Sequence, residues 1–305
     1  MSLDPDRLLD RRRLKRGVTI WRTLAIVALV ALVVIAVARF AVEGGPSSSH
    51  IGRLWVEGMI LDDPERDEAL ADFAGRTNAR ALIVRINSPG GTVVGGEALF
   101  LTLRHIAETM PVVAVLGTTA ASGGYWVALG ADRIIARRGT ITGSIGVIYQ
   151  TAEISQLLED LGIETEAVRS GPLKARPSPF EPLDDATRDV TQTLVADMHR
   201  QFVDLVADRR GMDRASAEAL ADGRVFTGDQ ALEAGLIDAI GGEAEALAWL
   251  EAAHGVDAGL PVRNLTYGED QNLASRLGSQ ISDALLPDSL SLDGLLAVWH
   301  PDLAQ

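Results

Sequence analysis

Two neighbouring stretches of this chain repeat one plan, a short apolar run followed by a glycine-bearing turn and a helical stretch, and that repetition limits the fold more than any other feature. The first copy runs from the apolar segment 81–86 through Asn87-Ser88-Pro89-Gly90-Gly91 into residues 93–110. The second runs from segment 112–116 through Gly117-Thr118-Thr119-Ala120-Ala121-Ser122-Gly123-Gly124 into residues 125–129. Both apolar runs are rich in β-branched residues and too short for a helix, so each reads as a strand buried on both faces. Strand, turn and helix repeated in series give crossover connections. They therefore give an α/β fold with a mostly parallel sheet, whose loops gather at the carboxyl ends of the strands. Residues 50–60, 133–136 and 140–149 read as further strands, and residues 64–79 as a helix opened by acidic side chains.

The second copy also carries chemistry. It delivers Ser122 to the turn between a strand and a helix N-terminus, where free backbone N–H groups and the positive end of the helix dipole surround the hydroxyl. An oxyanion is well stabilised there. A serine is a weak nucleophile unless a base takes its proton. The five histidines are His50, His105, His199, His254 and His300, and none falls between Ser122 and Met198. The chain has only two lysines, Lys15 and Lys174, beside 26 arginines. Lysine differs from arginine chiefly in that it can give up its proton when desolvated, so Lys174 stands out as a base, although a lone surface lysine is the plainer reading. Three prolines and a glycine in residues 170–180 forbid regular structure around Lys174 but stiffen its loop. At the first turn, Pro89 blocks a helix while Gly90 and Gly91 either make a tight turn or turn bare N–H groups toward a ligand.

Five pieces in this order resemble the signal peptide peptidase A (protease IV) family over about residues 50–255. They are Asn87-Ser88-Pro89-Gly90-Gly91, Ala121-Ser122-Gly123-Gly124-Tyr125, Thr142-Gly143-Ser144-Ile145-Gly146, the 174–180 segment, and Gly223-Arg224-Val225-Phe226-Thr227-Gly228 followed by Leu236-Ile237-Asp238. The resemblance implies a crotonase/Clp-protease-like domain and a Ser-Lys dyad endopeptidase. Ser122 would be the nucleophile, Lys174 the base and Ser144 the lysine-orienting hydroxyl, with Gly90, Gly91 and Gly123 in the oxyanion hole. It implies no cofactor and no metal, and peptide substrates that are signal-peptide remnants. It also implies a homo-oligomer, an octameric ring in which Ser122 of one protomer meets Lys174 of its neighbour, because the two-half members of the family split the dyad between halves and this chain has one half. The alternative is a non-hydrolytic acyl-thioester enzyme of similar fold, or an inactive oligomeric scaffold.

Charge is segregated along the chain. Residues 1–22 carry a local balance of +4 within a net charge of −14. Immediately after them, residues 24–38 are an unbroken apolar run, and with its flanks the stretch 23–42 is long enough to span a hydrocarbon core of ~30 Å. Basic residues on its N-terminal side put the N-terminus in the cytoplasm and the globular part on the outer side of the inner membrane. A cleaved signal peptide ending at Ala36-Val37-Ala38 is the rival reading. Residues 43–49 then form a polar tether, 50–255 the peptidase domain and 256–305 an extension with a weak amphipathic stretch at 271–285. That extension reads as a docking segment for a neighbour, a membrane-facing tail or unfolded chain. The acidic remainder offers no basic face for nucleic acid, and cysteine is absent. Asp184 is an expected N-cap for a helix to Arg210 that Gly211 stops, with Val190, Leu194, Met198, Phe202 and Leu205 along one face.

Overall fold

The computed structural model describes residues 21–31, 48–267 and 295–298. The chain divides into two units, Met1–Ser49 and His50–Gln305. In the first unit, residues 21–31 form helix α1, whose Trp21, Leu24 and Leu29 side chains are exposed. Among the described residues no helix is long and apolar enough to cross a membrane. The remainder of the expected anchor, residues 32–42, lies outside the described residues, as does the amphipathic stretch at 271–285.

The second unit opens with β1 (His50–Ile60), α2 (Pro64–Ala74), β2 (Ala79–Thr92), α3 (Val93–Ala107), β3 (Val112–Ala121) and α4 (Gly123–Ala128). It continues with β4 (Arg133–Ala136), β5 (Ile141–Gly143), β6 (Ile148–Tyr149), α5 (Ser155–Asp160), α6 (Asp185–Arg210) and α7 (Arg214–Leu220). It closes with β7 (Val225–Thr227), α8 (Gly228–Glu233), β8 (Ala239–Ile240), α9 (Glu243–His254), β9 (Val262–Asn264) and β10 (Leu295–Val298). The central order β9-β1-β2-β3-β4-β8 is parallel throughout. The antiparallel pairs are β5 with β7, and β10 with β2 and β6. The parallel sheet expected from the repeated unit is therefore present.

Alternation along the strands feeds two cores. Leu82, Val84 and Ile86 of β2 join Leu99, Leu103, Tyr125 and Phe202 on the face covered by α3, α4 and α6. Ala81 and Ile83 point the other way, with Val113, Val115 and Leu250, onto the face covered by α9. Each such aliphatic side chain contributes roughly 1.5–3 kcal/mol on full burial. Capping follows the local sequence. The Asp184 side chain accepts from the Thr187 N–H, Gly211 ends α6 at φ 61°, and Thr227 with Gln230 forms the capping box of α8.

Several expectations are corrected. The helix read over 64–79 stops at Ala74, where the Gly75 N–H donates to the Ala71 carbonyl. Ser88 to Thr92 is not a tight turn; β2 runs extended through it, because β1 pairs alongside as far as Ile60 opposite Gly91. The strand read over 140–149 breaks into β5 and β6, since Gly143 and Ser144 both turn to positive φ. Of the apolar face expected on α6, Phe202 is buried while Val190 and Leu194 stay exposed at 53% and 43%.

Candidate active site

β3 is a parallel strand with neighbours on both edges, so its end is fixed, and the chain leaves it at Ser122 with φ 52° and ψ −118°. A non-glycine residue at positive φ costs on the order of 1–3 kcal/mol and persists only where its surroundings over-determine it. Those surroundings are on both sides of the turn. The Ser122 N–H donates to the Gly143 carbonyl at 2.8 Å, and the Ser122 carbonyl accepts from the Trp126 N–H at 2.9 Å. The Thr142 hydroxyl donates to the Ala120 carbonyl at 2.6 Å, and the Thr140 hydroxyl to the Gly117 carbonyl at 2.8 Å. Asn87 Oδ1 accepts from both the Thr118 and Thr119 N–H groups, which ties β2 to β3 where their register shifts. Behind the turn, the buried Tyr125 hydroxyl donates to the Leu236 carbonyl at 2.7 Å, and burial pushes its phenol above the ordinary value. Arg209 donates to the Leu129 and Ala131 carbonyls beyond the other end of α4.

Ser122 itself is 1% exposed, and its hydroxyl makes no cap hydrogen bond to α4. Gly123 begins α4, so its N–H has no intrahelical acceptor and lies next to that hydroxyl along the chain. The two glycine-bearing segments are pressed together. A Cβ at Gly124 would come within 2.8 Å of the Ser88 carbonyl oxygen, which fixes the start of α4 against the end of β2. Gly91 is equally constrained, because a Cβ there would lie 1.9 Å from the Ile60 carbonyl oxygen. Gly90, at φ 132°, has its N–H engaged by Ser88 Oγ at 3.1 Å, and the same hydroxyl donates to the Gly90 carbonyl at 3.1 Å. Of the three expected oxyanion donors, Gly90 is thus one whose N–H already has a side-chain partner two residues back in its own strand.

Ser144 leaves β5 as Ser122 leaves β3. It has φ 48°, is 7% exposed, and donates its N–H to the Arg224 carbonyl at 2.8 Å. Lys174 lies in a loop without regular structure, as expected, and is exposed. The Lys174 N–H donates to the Gly171 carbonyl at 3.2 Å, and Ala175 follows at φ 57°. Ion pairs staple the loop: Glu181 takes Arg169 at 2.5 Å and Arg176 at 2.6 Å, and Arg176 also reaches Asp184 at 3.0 Å. Hydrogen bonding to Arg169, with the Arg176 charge beside it, holds the Glu181 carboxyl below its ordinary value. Within the chain, Ser122 and Ser144 are brought side by side; no hydrogen bond joins Lys174 to either among the described residues. No group of three or more histidine, cysteine, aspartate or glutamate side chains that could hold a metal is present among the described residues.

Sequence reasoning quoted Asn87 and Thr142 within motifs without giving either a role, and did not single out Thr140. A polar residue directly after the apolar run 81–86 was the available signal at Asn87.

Residues 104–257 match the peptidase family S49 profile, a span that takes in Ser122, Ser144 and Lys174 and leaves Gly90 and Gly91 outside. A candidate protease of Synechocystis is 40% identical over 211 residues, 65% of this chain and 76% of that protein. A candidate signal peptide peptidase SppA of Enterococcus faecium is 34% identical over 219 residues, 67% of this chain and 64% of that protein. The chloroplastic serine protease SPPA of Arabidopsis thaliana is 30% identical over 257 residues, and this chain spans only 38% of its length. Among solved structures, a point mutant of ClpP1 from Listeria monocytogenes superposes with a TM-score of 0.43 at 17% identity, over 62% of this chain and 91% of that one.

Proposed function

This chain belongs to peptidase family S49 and is a serine peptidase, and from that premise we propose that Ser122 is its nucleophile and Lys174 its base. The observation that carries the reading is the Ser122 turn. A buried serine is held at φ 52° by hydrogen bonds from two neighbouring strands, with its own hydroxyl unengaged by α4. Strain maintained at such cost around an uncommitted hydroxyl is what a nucleophile needs.

In the proposed reaction, Ser122 Oγ attacks the peptide carbonyl carbon as its proton passes to the neutral Lys174 amine. The negative charge that develops on the carbonyl oxygen is met by the N–H groups of Gly123 and Gly91. Lys174 returns the proton to the leaving amine as the peptide C–N bond breaks, which leaves an acyl-serine. Water, deprotonated by Lys174, then attacks the acyl carbon, and the proton goes back to Ser122 Oγ as the acid product departs. Ser144 orients the lysine, a role open to a short hydroxyl that both donates and accepts.

Lys174 is exposed and hydrogen-bonded to neither serine among the described residues, so the reading takes the lysine from a neighbouring protomer in a closed homo-oligomeric ring. Exposed apolar side chains on its own loop support this: Leu173 and Phe180 are 43% and 48% exposed. Residues 23–42 anchor the assembly in a membrane, and signal-peptide remnants released there are the proposed substrates.

An acyl-enzyme-forming peptide inhibitor tests the core of the reading. Mass mapping after reaction should find a single adduct on the peptide that contains Ser122, absent from Ser122→Ala. An adduct on another serine, with Ser122 unmodified, overturns it.

A further inference from the structure

We infer that Asn87 is a positioning residue for the peptidase reaction: by clamping an irregularity in β3 it brings Ser122 level with the glycine segment that meets the oxyanion. The inference rests on the peptidase reading above. β2 and β3 pair residue for residue from Leu82 opposite Val112 to Ile86 opposite Leu116, and their next pair is Ser88 opposite Ala120. One residue of β2, Asn87, therefore faces three of β3, Gly117, Thr118 and Thr119. β3 carries two residues more than its neighbour at this point, a bulge of the kind that re-aims side chains beside active sites.

The two extra residues decide where Ser122 falls. Had the first pairing run on without interruption, Ser122 would stand opposite Thr92, whose side chain caps α3 by accepting the Gly95 N–H. The bulge draws Ser122 back by two residues, about 6.6 Å along the strand at ~3.3 Å per residue. It then lies level with Gly90, next to Gly91, the proposed oxyanion donor. A displacement of that size matters because a misplacement of about 1 Å between reacting groups can cost a hundredfold in rate.

A bulge leaves backbone groups that the facing strand does not pair. Asn87 supplies the missing acceptor: its Oδ1 takes the Thr118 N–H at 3.1 Å and the Thr119 N–H at 3.2 Å, using both lone pairs of one oxygen. Gly117 leaves room for it, since a Cβ there would lie 3.0 Å from Asn87 Cβ and 3.1 Å from Oδ1. On its other edge β3 leaves β4 after Val115 opposite Ile135 and joins β5 at Thr119 opposite Ile141. Buried Thr140 bridges that change of partner by donating to the Gly117 carbonyl at 2.8 Å. Asn87 is itself exposed, so core packing does not account for an asparagine at this place; the two N–H groups do.

The test uses the full chain with Asn87→Ala, Asn87→Ser and Asn87→Asp. Each is titrated with the acyl-enzyme-forming peptide inhibitor, so that KI reports binding and kinact the attack by Ser122. In Asn87→Ala, kinact should fall about a hundredfold with KI unchanged, and amide exchange at Thr118 and Thr119 should speed up. Serine is too short to reach both N–H groups, so Asn87→Ser should behave alike and serves in place of an alanine chain that does not fold. Asn87→Asp keeps an oxygen in the same place and should recover most of the lost rate. A purely structural role would lower the melting temperature and leave kinact of the folded chains at the parent's value. That result, with faster exchange at both threonines, overturns the inference, as does a loss that Asn87→Asp fails to relieve. Mass mapping of the parent keeps the two readings apart. An adduct on Ser122 with kinact insensitive to Asn87 strikes only the positioning role, whereas an adduct on another serine removes the catalytic assignment and the positioning role together.

Discussion

Ser122 and Ser144 leave adjacent parallel strands at the same level. Ala121 pairs with Gly143, the Ser122 N–H donates to the Gly143 carbonyl at 2.8 Å, and the two serines take φ values of 52° and 48°. The site is therefore one unit in which the turn after β3 is built on the turn after β5, and a change in one backbone is felt by the other hydroxyl.

Ser122→Ala and Lys174→Arg should each lower kcat by several orders of magnitude, the range seen when a member of a nucleophile-base pair is removed. The melting temperature of Ser122→Ala should stay within a few degrees of the parent, since only an unengaged hydroxyl is lost. Lys174→Arg is the sharper test because arginine keeps the charge and cannot give up a proton. Near-normal turnover in that variant would exclude the lysine as base.

If neighbouring protomers share each dyad, mixing Ser122→Ala with Lys174→Ala chains and reassembling them should restore part of the activity. Neither variant alone should have any. Mixed assemblies, verified by distinguishable tags, that stay inactive would place both groups of each dyad in one chain.

Gly143→Ala should lower both stability and activity. A Cβ there would stand 2.4 Å from the Phe226 ring, and at φ 78° a side chain is strained even with the ring moved. A loss of about 1–3 kcal/mol follows from the backbone alone, and the shifted Gly143 carbonyl would release the Ser122 turn. Gly139→Ala, where no atom lies within 4 Å, is the control and should be silent in thermal melts and in kcat/KM.

Tyr125→Phe removes the donor to the Leu236 carbonyl from a fully buried position. Leaving that acceptor unpaired should cost about 1–3 kcal/mol in denaturant unfolding. Because the Tyr125 side chain of α4 is buried in the core with its hydroxyl on the Leu236 carbonyl, kcat at 25 °C should change little. A large fall in kcat with unaltered stability would contradict this division of roles.

The loop bearing Lys174 should loosen in acid. Glu181 has its carboxyl held below the ordinary value by Arg169 and Arg176. A folded pKa below the unfolded one means that the pairs stabilise the loop above the unfolded value of about 4.3 and lose their effect as pH falls through the folded value. Amide exchange in residues 169–184 should accordingly speed up as pH drops below about 4, beyond the intrinsic pH dependence of exchange. Glu181→Gln should show that faster exchange already at pH 7; unchanged protection in the variant would show that the ion pairs do not hold the loop.

Much of this architecture depends on residues close together in the chain. A β-branched run of a few residues before Gly117 makes a strand whatever surrounds it, Thr227 and Gln230 complete a capping box within one helical turn, and Gly211 ends α6 because glycine adopts positive φ at little cost. Ser122 at a strand-to-helix junction, and the one lysine of the globular part in a proline-stiffened loop, are legible for the same reason. Partners distant along the chain are a different matter. Ser88 to Thr92 has the composition of a turn, and only β1, pairing from about 30 positions earlier, draws it out into strand. Val190 and Leu194 follow the pattern of a buried face, but among the described residues no element covers them. Leu295–Val298 carries no strand signal of its own; it is a strand because β2 and β6 leave edges free on either side of it. Local sequence thus determined which turns, caps and hydroxyls exist, through backbone preferences that act within a few residues. Tertiary structure decided which of them meet, because hydrogen bonds across a sheet and contacts in a core depend on spatial neighbours that no local pattern encodes.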